Sequence, residues 1–495
     1  MNHLTFNFDT LWHNLVTLMT PDAAAPLIFS SGLFWVMFII FLPIFAALRN
    51  RRTQMMLFVV AFSLLFFFRS SGWYFVLLIL TSAIDFLVAR RIAESPRGWV
   101  RKAFLWLSIL CSLYVLFAFK YTNFFLKTWA DVVGGNFQPL DIIAPVGLSF
   151  YTFRTISYVV DVYKERMTPT KSYLEYLFFL SFFPCLIAGP IVRAKDFLPQ
   201  IHRSDAVTPA EIYGGLWQVM LGVIKKAVIA DYLAQYTDIV FSNPLGYSGF
   251  ELLMAGIGFS VQLYCDFSGY SDMAIGLGSM MGFDLGVNFD FPFRSKNITE
   301  FWRRWHISLS FWLRDYLYIP LGGNRKGKIR QYLNLFITML VGGFWHGAGL
   351  NYIWWGAIHG MALVIHKINM PWLKKIPDNA VVSFFSGLLT FAVVTLAFIF
   401  FRAETFADAV TVMNGIFTNF DFAYAPPFVS ARVVWCVMMV VVVVAHFVPK
   451  KAYAAMREWF VGCNWLLKLV IFMAVVQLVL QFASADVRPF IYAQY

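Results

Sequence analysis

A histidine in a stretch rich in tryptophan and glycine is the first residue that suggests chemistry. His346 lies in GGFWHGAGLNYIWWG, where flanking glycines allow close backbone approach and Trp345, Trp354 and Trp355 wall the site. Ionisable side chains within apolar segments are costly and usually face the interior of a helix bundle. An imidazole there suits a general base at neutral pH. It equally suits a structural histidine bonded to a carbonyl, and the pattern leaves both interpretations open.

A second histidine, His306, lies among arginines and tryptophans in FWRRWHISLSFWLRDYLYIPLGGNR. Arg303, Arg304 and Arg325 in this stretch are typical either of an amphipathic helix at the membrane interface or of the wall of a phosphate-binding mouth. Charge spacing alone favours the interfacial helix. The adjoining GGNRKGKI resembles the nucleotide-binding loop G-x-x-x-x-G-K-[ST], but Ile329 replaces the hydroxyl residue and no strand precedes it. We therefore exclude a nucleotide-hydrolysing loop.

Two carboxylates, Asp266 and Asp272, lie in the glycine-interrupted stretch QLYCDFSGYSDMAIG. They could relay protons, although hydrogen bonding to a nearby Ser or Arg is the commoner role. Gly278 and Gly282 have the spacing of a helix-packing contact. The sequence has no G-x-S-x-G elbow and no H-E-x-x-H motif, so a serine hydrolase or zinc peptidase has no support. Its five cysteines are far apart with no C-x-x-C, so we expect neither a metal site nor a disulfide framework.

The elements that position these residues belong to a chain whose composition fits a bilayer. Its 495 residues are 60% hydrophobic and 13% charged, against roughly 45–50% and about 25% in soluble domains. The formal net charge of +12 would suggest nucleic acid in a polar protein, but in an apolar one it is typical of cytoplasmic loops. The sequence therefore predicts an integral membrane protein surrounded by the lipid bilayer, with no nucleic-acid partner.

Apolar runs long enough to cross roughly 30 Å of hydrocarbon predict about ten to twelve helices, some not fully spanning. Residues 4–18 carry apolar side chains at helical spacing, which predicts a further helix lying in the interface. Basic clusters follow the first span, fill the loop 90–102 and precede the last span, so the positive-inside rule places both termini outside. The runs lie near 27–48, 53–68, 72–89, 103–119, 173–192, 331–346, 351–367, 380–401, 431–448 and 464–483, with longer interrupted stretches at 211–242 and 248–285.

Three long motifs resemble those of the membrane-bound O-acyltransferases, and within that family the bacterial alginate O-acetylation branch. They are FFPCLIAGPIVRAKDFLPQI, CDFSGYSDMAIGLGSMMGFDLGVNFDFPFRSKNITEFWRRWHISLSFWLRDYLYIPLGGNR, and GGFWHGAGLNYIWWGAIHG. The resemblance implies an all-α ring of helices, some re-entrant or tilted, around a central tunnel. It also implies N-terminal membrane helices with the interfacial helix in 1–135, an acyltransferase core in 136–370, and C-terminal membrane helices in 371–495 with an extracytoplasmic tail at 484–495.

The same resemblance places His346 on the signature histidine of the family and His306 on the second, polar position of this branch. It implies that a thioester enters from the cytoplasm, that His346 takes the proton of an attacking hydroxyl, and that His306 steadies the oxyanion or the acceptor. Acetyl-CoA is then the acyl donor and no metal is needed. Candidate ligands for its phosphates are the basic residues Arg303, Arg304, Arg325 and Lys326.

The chain ends in RPFIYAQY, which resembles the F-x-Y-x-x-F tail of related systems such as the D-alanylation of teichoic acids. That resemblance implies that Phe490, Tyr492 and Tyr495 enter the tunnel from outside and that Tyr492 carries the acyl group. An extracytoplasmic SGNH-type acetyltransferase would then pass the acetyl to an exported, alginate-like polysaccharide. The alternative is an aromatic tail that anchors at the interface.

The resulting prediction is an O-acetyltransferase of the bacterial inner membrane. One alternative is a D-alanyl or longer-acyl transferase fed by a carrier protein. An alternative of another class is a proton-coupled transporter that uses the buried His and Asp residues, although the paired repeats expected of transporters are not visible.

Overall fold

The structure, a computed structural model, describes residue 20 and residues 27–482 apart from 143 and 204. Within these residues the chain is all-α, as predicted, with no β-strand. The expected interfacial helix at 4–18 and the tail at 484–495 lie outside the described residues. In chain order the helices are α1 Gly32–Leu48, α2 Arg52–Ser71, α3 Phe75–Glu94, α4 Trp99–Lys120, α5 Thr122–Val133, α6 Leu148–Tyr163, α7 Tyr173–Ser181, α8 Ala194–Phe197, α9 Pro209–Val223, α10 Asp231–Ser242, α11 Gly249–Met280, α12 Ile298–Arg304, α13 Ile307–Leu313, α14 Lys328–His346, α15 Leu350–Leu373, α16 Ala380–Arg402, α17 Phe406–Thr418, α18 Ala425–Ala431, α19 Val433–Phe447, α20 Lys450–Gly462 and α21 Trp465–Phe482.

Several helices are long and apolar enough to cross a membrane, as expected. Among the described residues there are five such helices, or six if the bent pair Phe422–Ala431 and Val433–Phe447 forms one span. Other apolar runs fold differently from the expected spans. The run at 173–192 forms only α7 and one 3₁₀ turn, Phe183–Cys185. Its residues from 176 onward are buried in protein, where an irregular backbone is tolerated at membrane depth.

The N-terminal helices pack through phenylalanines. Phe34, Phe38, Phe41 and Phe45 follow one face of α1 at helical spacing and are buried. The ring of Phe183, in the 3₁₀ turn after α7, lies 5.6–6.3 Å from the rings of the first three. These aromatic contacts hold α1 against the irregular segment that the sequence suggested would be a span.

Glycines permit the tightest helix contact, between α9 and α11. A Cβ on Gly215 would lie 2.5 Å from the carbonyl oxygen of Gly276, and one on Gly222 would lie 2.5 Å from that of Gly269. Both pairs are two turns apart, so they lie on one face of each antiparallel helix. The expected packing contact through Gly278 and Gly282 is wrong, because α11 ends at Met280 and Gly282 has φ +80°.

The hairpin of α14 and α15 brings the backbone around His346 into the protein interior. A Cβ on Gly343 would lie 3.0 Å from the Cα of Gly356, and one on Gly356 would lie 2.5 Å from the carbonyl oxygen of Met339. The two helices are therefore in backbone contact near the turn at residues 347–349. Their opposite ends carry basic residues, including Lys328 at the start of α14 and Lys374 after α15.

Candidate active site

His346 is the last residue of α14, and its side chain is 3% exposed. The final carbonyls of a helix have no intrahelical partner. In this helix they are satisfied by the junction of α4 and α5: Lys120 Nζ donates to the carbonyls of Trp345 and His346 at 2.9 and 2.8 Å. Tyr121 Oη donates to the carbonyl of Phe344 at 2.9 Å. A cation at a helix C-terminus also complements the helix dipole, so the backbone of His346 is firmly positioned.

Aromatic rings surround the imidazole of His346. The ring centroids of Trp345 and Trp355 each lie 4.7 Å away, and that of Phe401 lies 5.3 Å away. Two of the three tryptophans expected to wall the site therefore do so. Trp354 does not: its side chain is 44% exposed and stacks on Phe406. The third wall, Phe401, comes from α16 and had no signal in the sequence.

His306 lies at the break between α12 and α13, and its side chain is 1% exposed. Its φ of 42° and ψ of 56° are left-handed, a conformation that is rare outside glycine and is a feature of functional sites. The stretch expected to form an interfacial amphipathic helix is thus two short helices, with Trp302, Trp305 and Trp312 buried. This outcome favours the other interpretation, in which the stretch walls a cavity.

Asn288 fixes the tautomer of His306. Its Oδ1 accepts from the backbone N–H of Ser308 at 3.3 Å and from Ser308 Oγ at 2.9 Å, while its Nδ2 donates to Ser271 Oγ at 3.0 Å. These bonds define which atom of the amide is oxygen. His306 Nδ1, 3.2 Å from Oδ1, must therefore be the donor. In the neutral imidazole Nε2 then carries the lone pair.

A third imidazole, His359 on α15, was not singled out from the sequence. Its side chain is 0% exposed, and its ring centroid lies 5.0 Å from that of Trp302 and 4.8 Å from that of Trp355. Trp355 is thus shared by His346 and His359. His306, His359 and Lys120 all lie close enough to His346 for a charge on any of them to interact with a charge on its imidazole. The three imidazoles therefore form one cluster, which we call the histidine cluster.

Six buried polar atoms around the histidine cluster have no hydrogen-bond partner among the described residues. Such atoms are uncommon in folded proteins, and each costs about 1–3 kcal/mol unless a partner binds. Polar groups of a ligand would satisfy these six. The six atoms are Nε2 of His306, both ring nitrogens of His359, and Nε1 of Trp302, Trp345 and Trp355.

A basic cavity of about 640 Å³ opens at the other end of the α14–α15 hairpin. Arg303 and Arg304 line it, as do Lys367 and Lys374, which the sequence analysis missed. Its carboxylates, Asp290 and Glu300, are already engaged by Arg304. Within the described part of the chain, Arg303, Lys367 and Lys374 have no ion-pair partner. Unpaired cations around a cavity are what a phosphate-bearing ligand needs.

The other two candidate phosphate ligands lie outside this cavity. Arg325 and Lys326 are exposed in the loop that precedes α14, at the same end of the hairpin but not in the cavity lining. The tail candidates Phe490, Tyr492 and Tyr495 lie outside the described residues.

Asp266 and Asp272 pair with lysines rather than with the expected Ser or Arg. The seven-residue π-helix Ile224–Ala230, between α9 and α10, presents both partners. Lys226 Nζ lies 2.6 Å from Asp266 and 2.7 Å from Asp231, and Lys225 Nζ lies 2.6 Å from Asp272. The Lys226–Asp266 pair is buried, with side chains 4% and 5% exposed, whereas Lys225 and Asp272 are 29% and 21% exposed. Among the residues that the structure describes, no group of His, Cys, Asp or Glu could hold a metal ion.

Comparison with known proteins gives the same assignment as the motifs. Residues 166–401 match the family model of the membrane-bound O-acyltransferases, a range that includes the histidine cluster and the basic cavity but not Tyr492. A probable alginate O-acetylase of Pseudomonas aeruginosa is 42% identical over 343 residues, which cover 68% of this chain and 65% of that protein. A peptidoglycan O-acetyltransferase of Helicobacter pylori is 37% identical over 67% of this chain and 68% of its own length.

A more distant relative is a teichoic acid D-alanyltransferase of Bacillus subtilis, 29% identical over 54% of this chain and 71% of that protein. The match covers less than two thirds of the Pseudomonas relative's length. The bacterial relatives and the five or six spanning helices of the described residues make this a multi-pass inner-membrane protein. The matched range, the identities and the motifs around His306 and His346 show that the chain belongs to the membrane-bound O-acyltransferase family.

Proposed function

We propose that the protein transfers an acetyl group from acetyl-CoA to a hydroxyl on the extracytoplasmic side, for O-acetylation of an exported, alginate-like polysaccharide. The observation that carries this proposal is the histidine cluster, which buries His346 between tryptophans and is joined by α15 to a basic cavity. Relatives named for alginate and peptidoglycan O-acetylation support a polysaccharide as the final acceptor.

In the proposed reaction the imidazole of His346 takes the proton of the acceptor hydroxyl as the oxygen attacks the thioester carbonyl. The new C–O bond produces a tetrahedral oxyanion, and its collapse breaks the C–S bond. The departing thiolate takes the proton from the imidazolium, which leaves the free thiol and the O-acetyl ester. A thioester is already activated, so these residues need to supply only proton transfer, orientation and exclusion of water.

His306 steadies the acceptor in this mechanism. The reacting hydroxyl has one proton, and His346 takes it. Because Asn288 accepts from Nδ1, the lone pair on Nε2 of His306 can accept a hydrogen bond from another N–H or O–H group of the acceptor. A neutral imidazole in this tautomer cannot donate from Nε2 to an oxyanion. Of the two roles left open by the resemblance, the tautomer favours orientation of the acceptor. The indole N–H groups of Trp345 and Trp355, whose rings contact His346, become the candidate oxyanion donors.

The donor's phosphates would bind in the basic cavity. Arg303 and Arg304, together with Lys367 and Lys374, are the proposed ligands. Arg325 and Lys326 are retained as outer attractive charges, since they lie at the same end of the hairpin. By the positive-inside rule that end faces the cytoplasm, where acetyl-CoA is available.

On the opposite side we propose that Tyr492 accepts the acetyl group through His346 and passes it to an SGNH-type partner. The family tail pattern in RPFIYAQY supports this step. The ring of helices around a tunnel, which would admit the tail, remains a prediction.

The decisive experiment incubates the purified protein with acetyl-labelled acetyl-CoA. Label should appear on the wild-type protein, should be absent from His346→Ala, and should be located on Tyr492 by peptide mass spectrometry. Tyr492→Phe should lose the label and abolish polysaccharide acetylation in cells. Tyr495→Phe, which restores the family pattern, is the matched control and should keep both. Wild-type acetylation by Tyr492→Phe would refute the relay, and labelling of His346→Ala would refute the catalytic assignment.

The alternative of a D-alanyl or longer-acyl transferase is supported only by the more distant relative. Transfer of D-alanine or a long acyl chain, with no transfer from acetyl-CoA, would replace the acetyl assignment. Membership of an acyltransferase family leaves the transporter interpretation without support.

A further inference from the structure

His359 is completely buried, yet neither of its ring nitrogens has a hydrogen-bond partner among the described residues. Leaving two polar atoms unpaired in an apolar site is expensive, and an apolar residue of similar volume would avoid that cost. The indole N–H of Trp302, whose ring lies 5.0 Å from that of His359, is unpartnered as well. Together these atoms offer two donors, one on each ring, and one acceptor to a ligand that reaches them.

The position of His359 lies between the two ends of the proposed donor site. Along α15, His366 lines the basic cavity and is held by Thr299 at 2.9 Å. His359 lies two turns further into the protein, about 10 Å along the helix axis at 1.5 Å per residue. Trp355, which contacts His346, lies a further turn along, about 6 Å. A donor that follows α15, with its phosphates in the cavity and its thioester at His346, would therefore pass His359.

The chemistry of such a donor matches what His359 offers. The flexible arm of coenzyme A carries secondary amides between the phosphates and the sulfur, and each amide has one carbonyl acceptor and one N–H donor. A neutral imidazole has one N–H donor and one nitrogen acceptor. Nothing else in the mechanism uses His359, since proton transfer is assigned to His346 and acceptor orientation to His306.

We propose that His359, with the indole of Trp302, forms a subsite for the amide groups of the donor arm. This inference rests on the proposed function, because it takes a pantetheine-bearing thioester as the donor. His359 is then a positioning residue that selects thioesters with amides in the arm and holds the carbonyl carbon at His346. It does not take part in proton transfer.

The test compares two acetyl thioesters in the purified protein: S-acetylpantetheine, and S-butyl thioacetate, which has no amide. Release of free thiol is followed during the single turnover that Tyr492 allows, and kcat/KM is taken from its rate at rising thioester concentration. In His359→Leu, kcat/KM for S-acetylpantetheine should fall about tenfold, the value of one well-placed hydrogen bond, while that for S-butyl thioacetate stays within about twofold. His359→Gln keeps a donor and an acceptor and should recover most of the loss. Trp354→Leu, on the same helix but outside the cluster, should match the wild type with both thioesters.

Two further readouts separate this inference from a structural role and from failure of the proposed function. His359→Leu should keep or raise Tm, because it removes unpaired polar atoms; a loss of several degrees would show that the imidazole stabilises the fold and would overturn the proposal. An equal fall in kcat/KM for both thioesters would also overturn the proposal. Calorimetric binding of free pantetheine should weaken about tenfold in His359→Leu. Unchanged binding would overturn the subsite, whereas absence of His346-dependent thiol release from acetyl-CoA in the wild type would overturn the proposed function alone.

Discussion

Removal of the Asn288 side-chain oxygen tests whether the tautomer of His306 matters for transfer. Asn288→Leu deletes the acceptor 3.2 Å from His306 Nδ1 and the bonds from Ser308 to the same oxygen. One neutral hydrogen bond contributes about 0.5–1.5 kcal/mol, which is about a two- to thirteenfold change in the population of the required tautomer. The imidazole of His306 would also be held less firmly, and misplacement of such a group lowers the rate by up to about a hundredfold. We therefore expect kcat to fall about tenfold to a hundredfold.

The assay is thiol release from acetyl-CoA by the purified variant during the single turnover that Tyr492 allows. Here kcat is the rate constant of that turnover, expressed per folded protein after a thermal unfolding measurement. Ser271→Ala is the matched control, because it removes only the bond donated by Asn288 Nδ2 and leaves the acceptor in place. It should stay within about threefold of the wild type. A folded Asn288→Leu protein with wild-type kcat would show that the tautomer of His306 has no part in the reaction.

Three further predictions concern the basic cavity, the buried pair of Lys226 and Asp266, and the carboxylate of Glu165. Arg303→Ala should raise KM for acetyl-CoA about three- to tenfold with little change in kcat, and the effect should be largest at low salt. Arg325→Ala, outside the cavity, should change KM less. Equal effects of the two variants on KM would argue against a phosphate site in the cavity. Lys226→Met should lower the free energy of unfolding by about 3–5 kcal/mol, because Asp266 loses a buried cation. Adding Asp266→Asn should recover part of that loss in the same unfolding assay. A Lys226→Met protein as stable as the wild type would contradict this account. Hydrogen bonds from Arg97 and then Arg101 lower the pKa of Glu165 from 4.5 to about 2. The contribution of Glu165 to stability is therefore complete above about pH 4.5 and is lost as the pH falls towards 2. The Tm of Glu165→Gln should lack this pH dependence, and identical pH profiles of Tm for the variant and the wild type would refute the prediction.

Much of the candidate site followed from short-range sequence features. The apolar, glycine-rich surroundings of His346 predicted a buried imidazole, and the structure buries it. For the arginines beside His306, charge spacing favoured an interfacial helix and left the wall of a phosphate-binding mouth as the alternative; Arg303 and Arg304 line one cavity. Composition and spacing carry information about residues close together in the chain, but they do not decide between two such surfaces.

Partners from distant helices could not be predicted in this way. Lys120 and Phe401 reach His346 from α4 and α16, and no periodicity within either helix marks them as neighbours. The same is true of Lys225 and Lys226, whose carboxylate partners on α11 depend on how a π-helix packs. Tertiary packing decides such contacts, and a single sequence contains no direct signal for it.

One error in the site was avoidable. Trp354 and Trp355 are consecutive on a helix, so their side chains diverge by about 100°, and only one of them can face His346. Trp355 does so, whereas Trp354 packs on Phe406. The count of spans is a different matter. The run at 173–192 has the composition of a span, but it is buried in protein from residue 176 onward, and its irregular part contains Pro184 and Pro190.

The left-handed backbone at His306 limits how this position can change. Glycine, asparagine, aspartate and histidine are favoured near φ 42°, whereas β-branched side chains are disfavoured there. A β-branched replacement would therefore strain the backbone between α12 and α13 as well as remove the ring. Saturation mutagenesis at codon 306 should accordingly retain more folded protein with asparagine or glycine than with valine, isoleucine or threonine.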